Sequence, residues 1–156
     1  MSEIHPLFKK LNYKVGDIHV VNAPASFASA LEPMRATAQI HDGIAKAKGV
    51  GFAIAFATKQ VEVDRFAAQM ARATLNDAVV WIAYPKGSSK SLTCEFNRDT
   101  GWAELGRFGF EPVRQVAIDA DWSALRFRRV EYVKSLTRDP SWAISPAGKA
   151  RERKAR

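Results

Sequence analysis

Residues 50–84 read VGFAIAFATKQVEVDRFAAQMARATLNDAVVWIAY, and this stretch decides the fold. It opens with Val50–Ala57 and closes with Ala78–Tyr84, two runs that are apolar at successive positions instead of alternating. A strand with one wet face alternates. A run apolar on both faces suits a strand covered on both sides, the habit of parallel sheets in α/β proteins. Between the runs, Val63, Phe66, Ala67, Met70 and Thr74 recur at spacings of three and four, which puts them on one helix face. Thr58 stands where it can cap this helix, which runs to about Leu75. The segment therefore predicts a strand–helix–strand unit with a right-handed crossover.

Upstream, Leu7–Leu11 reads as a short amphipathic helix, and Gly16-Asp17 turns the chain into the β-branched strand Ile18–Val21. Asn22-Ala-Pro24 ends that strand, because proline has no amide for the ladder. Ser26 is placed to cap a short helix through Leu31, Ala36–Ile40 is a second strand, and Gly43–Lys48 is a loop or one helical turn.

Downstream, the polar loop Pro85–Lys90 leads to a helix that starts at Asp99 or Thr100 and buries Trp102, Leu105 and Phe108. Gly109 fits the left-handed position after that helix, with Phe110 folding back and Pro112 blocking further turns. Val113–Ile118 and Ser123–Val130 are strands joined by Asp119-Ala-Asp121, a connection short enough for an antiparallel hairpin. In the last strand Leu125 and Phe127 share one face, and Arg126 and Arg128 the other. The expected architecture is α/β: a three-layer Rossmann-like fold with a mostly parallel sheet and a C-terminal antiparallel hairpin. One domain spans 1–143, and 144–156 is a basic tail expected to be mobile.

Composition narrows the chemistry. The chain has 156 residues, enough for one domain with a sizeable core, and its 47% apolar share is ordinary for a globular protein. The single cysteine, Cys94, excludes an intrachain disulfide and fits a reduced cytoplasmic setting. His5, His19 and His41 lack metal-ligand spacing. No apolar run approaches the roughly 20 residues of a membrane span, and the N-terminus has no signal-peptide pattern. The net charge is +8, but it is localised. Residues 1–125 carry 14 basic and 13 acidic side chains, whereas residues 126–156 carry 10 and 3.

From Gly51 onward the pattern resembles the second half of a class I methyltransferase-type Rossmann fold. A strand, a helix ending before Asn76-Asp77, the strand ending in Tyr84-Pro-Lys, a helix ending in Phe108-Gly-Phe110 and a closing hairpin carry the likeness. That family places a glycine-rich turn after its first strand, so that backbone can approach S-adenosylmethionine, and an acidic residue at the end of the second. Here the turn reads Asn22-Ala-Pro-Ala-Ser26 without glycine, only Asp42 can serve as the acid, and one strand–helix unit is missing before Val50. S-adenosylmethionine is therefore not expected to bind, and no other cofactor is indicated. The chain is also similar to a family of small bacterial proteins that form a domain of unknown function. That similarity rests on Lys14–Pro24, Trp81–Ser89, Asn97–Trp102 and Val113–Phe127, and implies the fold without an activity.

Ligands of open parallel sheets bind beyond the carboxyl ends of the strands. Three such ends can be placed, at Asn22–Pro24, Thr58-Lys59 and Tyr84–Lys90. The candidate ligand-binding residues are Asn22, Pro24, Thr58, Tyr84, Lys86, Gly87, Ser88, Ser89 and Arg98. Amides beside a glycine, two hydroxyls and two ammonium groups suit a small anion or a nucleotide, although the loop is no Walker A motif. The plain alternative is a solvated loop. Asp99 or Thr100 reads as a helix cap, and Asp119 and Asp121 as turn formers in preference to an acid–base pair. A further alternative is weak nucleic-acid binding through Arg126, Arg128, Arg129, Lys149, Arg151, Arg153 and Lys154, with Lys134, Arg138 and Trp142 contributing. Arginines on an exposed edge strand would equally guard against sheet-to-sheet association. No nucleophile–base pair or metal cluster assembles. The expectation is thus a non-catalytic binding or interaction protein, with a residual S-adenosylmethionine-dependent methyltransferase as a second alternative.

Overall fold

The computed structural model describes residues 4–97, 99–133 and 143–149. Along the chain run α1 (Pro6–Lys10), β1 (Ile18–Val21), α2 (Ala28–Met34), β2 (Ile40–Asp42), β3 (Val50–Phe56), α3 (Gln60–Ala73), β4 (Thr74–Pro85), α4 (Ala103–Arg107), β5 (Phe110–Ala117) and β6 (Trp122–Arg129). The six strands form one sheet in the order β2-β1-β3-β4-β6-β5. Neighbours from β2 to β4 are parallel, and β6 runs antiparallel to both β4 and β5. The expected α/β architecture, with a mostly parallel sheet and an antiparallel hairpin, is the observed one.

The unbroken apolar runs explain the layers. Ala53 and Ala55 of β3 face Val63, Phe66, Ala67 and Met70 of α3. Phe52, Ile54 and Phe56 point the other way, into a cluster with Phe8, Phe27 and Met34. Small residues on one face let α3 sit close, while large residues on the other fill the space beneath shorter helices. Trp81 is fully buried there, and its indole Nε1 donates to the Leu11 carbonyl at 2.8 Å, which ties the end of α1 to the middle of β4. Burying each such large side chain contributes about 1.5–3 kcal/mol.

Several boundaries differ from expectation. Helix α3 starts at Gln60, and Thr58 does not cap it. Instead the Glu62 carboxylate reaches back and accepts from the amides of Thr58 and Lys59 at 3.0 and 3.1 Å. At its other end α3 passes into β4 with no loop. Thr74 pairs with Val50, and pairing resumes only at Phe52–Val79, with Asn76 at φ 55° in the offset. Strand β2 covers Ile40–Asp42, not Ala36–Ile40, because the chain is still turning over 35–38. Ser26 lies inside a 3-10 turn at Ala25–Phe27 and caps nothing. Helix α4 starts at Ala103, so neither Asp99 nor Thr100 caps it. The Asp99 amide instead donates to Asn97 Oδ1 at 2.8 Å. Gly109 does take the left-handed conformation expected of it, with φ 90°.

Two corrections concern the C-terminal part. Strand β6 is an interior strand, so its arginines guard no sheet edge. The chain also remains docked beyond residue 143. Ser145 is fully buried, and Glu111 accepts from its amide and hydroxyl, each at 2.6 Å, and from the Ile144 amide at 3.0 Å. Gly106 and Gly148 are glycines for want of room, since a side chain would run into the Ile144 carbonyl or the Glu111 carboxylate. Residues 144–149 therefore belong to the packed body and not to a free tail. Among the described residues no helix is long and apolar enough to cross a membrane.

Candidate functional site

Strands β1, β3 and β4 all deliver their carboxyl ends to one edge of the sheet. The predicted site residues at this edge separate into two corners.

The first corner joins β1 to β3. Asn22 takes φ 59°, a left-handed conformation that asparagine tolerates better than most residues. Its side-chain Nδ2 donates to the Phe56 carbonyl at 2.9 Å and to Glu62 Oε2 at 3.1 Å. The other oxygen of Glu62 accepts from the Thr58 hydroxyl at 3.3 Å as well as from the two amides. Asn22 and Thr58 thus converge as expected, but on a protein carboxylate. That carboxylate occupies the place where an anion would be received, at the start of α3. Pro24 leads into the 3-10 turn and makes no polar contact here.

The second corner lies beyond β4. An open cleft of about 860 Å³ is lined by the candidate residues Tyr84, Lys86, Gly87, Ser88 and Ser89, and also by Thr93, Cys94, Phe96, Asn97, Asp99, Gln115 and Ser123. The loop is pinned from below. The Lys86 amide donates to the Asp121 carbonyl at 2.8 Å, and the Ser89 hydroxyl to Asp121 Oδ1, also at 2.8 Å. The Ser89 amide returns to the Lys86 carbonyl at 3.0 Å. Ser89 is therefore a structural pin, whereas the Lys86 ammonium, the Ser88 hydroxyl and the Gly87 and Ser88 amides have no hydrogen-bond partner among the described residues. Behind the loop, Tyr84, Phe96 and Trp102 pack edge to face or tilted, with ring centroids 5.0–6.0 Å apart, and give the cleft a rigid aromatic wall.

Asp121 reaches the loop because Asp119 makes the turn before it. The Asp119 carboxylate accepts from the Asp121 and Trp122 amides at 2.8 and 2.9 Å, the turn-forming role expected of it. Asp121 itself holds the loop, a task the sequence did not reveal. Burial pushes the Cys94 thiol up from its ordinary value, which disfavours the thiolate a nucleophile would need. Among the described residues no group of three or more His, Cys, Asp or Glu side chains is placed to hold a metal.

Of the three described arginines proposed for nucleic acid, Arg128 and Arg129 are engaged and Arg126 is half-buried in β6. Arg128 grips Asp77 with two bonds of 2.7 and 2.6 Å, and this grip holds the Asp77 carboxyl below the usual aspartate range. Arg129 donates to the carbonyls of Ala71, Thr74 and Asn76 and lies 4.9 Å above the Phe110 ring, closing the junction between α3 and β4. Lys149 is exposed at the end of the docked segment. Arg98, Lys134, Arg138, Trp142, Arg151, Arg153 and Lys154 lie outside the described residues.

Comparison with solved structures agrees with this topology. A methyltransferase dependent on S-adenosylmethionine from Aquifex aeolicus superposes with a TM-score of 0.53 at 11% identity, covering 79% of this chain and 87% of its own. The N-methyltransferase NodS from Bradyrhizobium japonicum WM9, solved with S-adenosyl-L-homocysteine, gives 0.51 at 10% identity, covering 80% and 85%. At such identities the likeness establishes a methyltransferase-like fold. No family model and no curated protein matches the sequence.

That fold implies S-adenosylmethionine at the ends of the first strands, and the first corner tests the fit. Where a glycine would leave room for the cofactor, the Asn22 side chain crosses from β1 to β3, its Nδ2 held by both the Phe56 carbonyl and Glu62. Asp42 does end β2 and is exposed. The residues present do not fit the cofactor.

Proposed function

We propose that the protein is a binding module built on a methyltransferase-like fold, and that it takes a small polar ligand carrying an anionic group in the cleft beyond β4. One observation carries this reading: the cleft is walled by fixed aromatic rings and a pinned loop, while Lys86, Ser88 and two amides of that loop remain available to a ligand. Lys86 supplies charge, the Gly87 and Ser88 amides and the Ser88 hydroxyl supply donors, and Asn97 and Gln115 add further hydrogen-bonding groups. Fixed walls limit the ordering that binding requires. Membership of the small bacterial family suggested by the sequence is compatible with this reading and adds no activity to it.

The test is a thermal-shift screen of the full chain against nucleotides, phosphorylated metabolites and small carboxylates. A hit is expected whose stabilisation disappears in the double variant Lys86→Ala, Ser88→Ala. A flat response over the panel would reject the reading. A residual methyltransferase is the second reading, favoured by the structural neighbours. Calorimetry with S-adenosylmethionine decides it, and the bridge from Asn22 to Glu62 leads us to expect no heat of binding.

A further inference from the structure

Strand β6 carries Arg126 directly opposite Arg114 of β5 in the antiparallel register. The alternation that sends Ala124 and Val116 into the α1-side cluster puts both arginines on that same side of the sheet. The β4–β6 register sets Arg126 beside Trp81, which belongs to that cluster too. The cleft beyond β4 opens elsewhere, because its Tyr84 and Phe96 pack with the α3-side cluster.

The placement is costly as it stands. Like charges directly opposite in an antiparallel pair destabilise it. Arg126 is half-buried, and its Nε is shut off from solvent without a hydrogen-bond partner among the described residues. A buried N–H left unsatisfied is destabilising, because it has lost its water without gaining an acceptor. Burial, and then the nearby Arg128 charge, pulls the Arg126 guanidinium below its usual range. Among the described residues the carboxylate that acts on Arg126 is Asp77, and it already has both oxygens on Arg128, so it does not neutralise the pair. Arg114 is exposed and makes no salt bridge among the described residues. Lys10 of α1, bonded to the Ala117 carbonyl at the far end of β5, adds a further positive charge on this side.

We propose that Arg114 and Arg126 form a binding site for a tetrahedral oxyanion, inorganic phosphate or the phosphate group of a monoester. Opposite residues of an antiparallel pair have Cα atoms about 4.5–5.5 Å apart. Two guanidinium forks on one face can therefore close on a single phosphate, each donating to oxygens of matching geometry. A dianion also matches two cations, whereas a carboxylate leaves one unbalanced. The site is independent of the cleft beyond β4.

The experiment is a phosphate titration of the full chain, followed by thermal shift and 31P line broadening, with ionic strength held constant by chloride. Saturable stabilisation is expected. Apparent affinity should fall by about tenfold or more in Arg114→Gln and Arg126→Gln, corresponding to loss of a charge-assisted hydrogen bond. Arg114→Lys, which keeps the charge but not the fork, should fall between. The Lys86→Ala, Ser88→Ala variant should respond as the parent does. Arg114 is exposed, so its variants report even if Arg126→Gln fails to fold. A phosphomonoester competing with phosphate would identify a larger phosphorylated molecule as the source. The proposal is overturned by a response no larger than that to chloride, by an unchanged affinity in Arg114→Gln, or by a response abolished only in the Lys86/Ser88 variant. Binding of a short oligonucleotide without any response to inorganic phosphate would also overturn it, in favour of nucleic acid.

Discussion

At the ends of β1 and β3, Asn22, Thr58 and Glu62 satisfy one another, while at the end of β4 the polar groups of Lys86 and Ser88 stay available. Both corners lie at the same edge of the same sheet, and both offer hydroxyl and amide groups. The difference is where the acidic side chain sits. Glu62 points up into the first corner and consumes its donors. Asp121 lies beneath the second and consumes only the donors that anchor the loop. A strand-end crevice is thus a binding site only if the fold leaves its donors unspent.

Removing the acid from the first corner should have the largest effect. Glu62→Ala strands the Thr58 and Lys59 amides and the Thr58 hydroxyl, and leaves the Asn22 amide group only the Phe56 carbonyl. It should destabilise the fold by about 2 kcal/mol, read from the urea midpoint. A loss below about 0.5 kcal/mol, the range of ordinary surface changes, would mean that the corner is not held by Glu62. In the second corner, Ser89→Ala cuts the pin to Asp121 and should cost about 1 kcal/mol, with faster hydrogen exchange of the Lys86 and Ser89 amides. Unchanged exchange would contradict the pinned loop.

Asn22→Gly sharpens the comparison further. Glycine suits the left-handed backbone, so the net loss should stay under about 1 kcal/mol while the crevice opens. Calorimetry with S-adenosylmethionine should be flat in the parent. Binding that appears only in this variant would show that one side chain closes the corner. Lys86→Ala with Ser88→Ala should move stability by less than about 0.5 kcal/mol while removing the ligand response. A large loss of stability would make these residues structural as well.

The smallest effect belongs to His19, buried beside β2 with its ring 4.4 Å from that of His41. Burial holds its pKa below the ordinary value, with the His41 charge acting in the same direction. The unfolded chain then binds the proton more readily. Stability from this group is complete above about pH 6.5 and falls as pH drops through the lowered folded value. His19→Gln should flatten that part of the pH profile.

The apolar runs made β3, β4 and α3 legible, because burial on both faces leaves a pattern in the sequence itself. Strand β2 was misplaced because two half-buried residues and an exposed one leave no such pattern. Its pairing is set by β1, far away in the chain. The loop at 85–89 was legible from its polarity, but Thr93, Asn97 and Gln115 come to the cleft from elements that only tertiary packing brings together. Asn22 and Thr58 were rightly placed at one sheet edge. That they meet Glu62 depends on a helix start one residue later than the threonine suggested. Arg126 and Arg128 alternate plainly, yet Arg114 joins them through a register shift between Pro112 and Arg114 that no local signal announces.

The interior position of β6 has a consequence for how the chain is made. Synthesis delivers β5 before β6, and until Arg129 has emerged β5 has no neighbour to pair with, because β6 lies between it and β4. The nascent chain therefore carries an unclosed flank on β4 and an orphan strand, both open to wrong partners. Pairings of long sequence separation also form slowly. Strand β6 is the wedge that completes the sheet, so a chain stopped short of it is two unjoined pieces and not a smaller version of the protein.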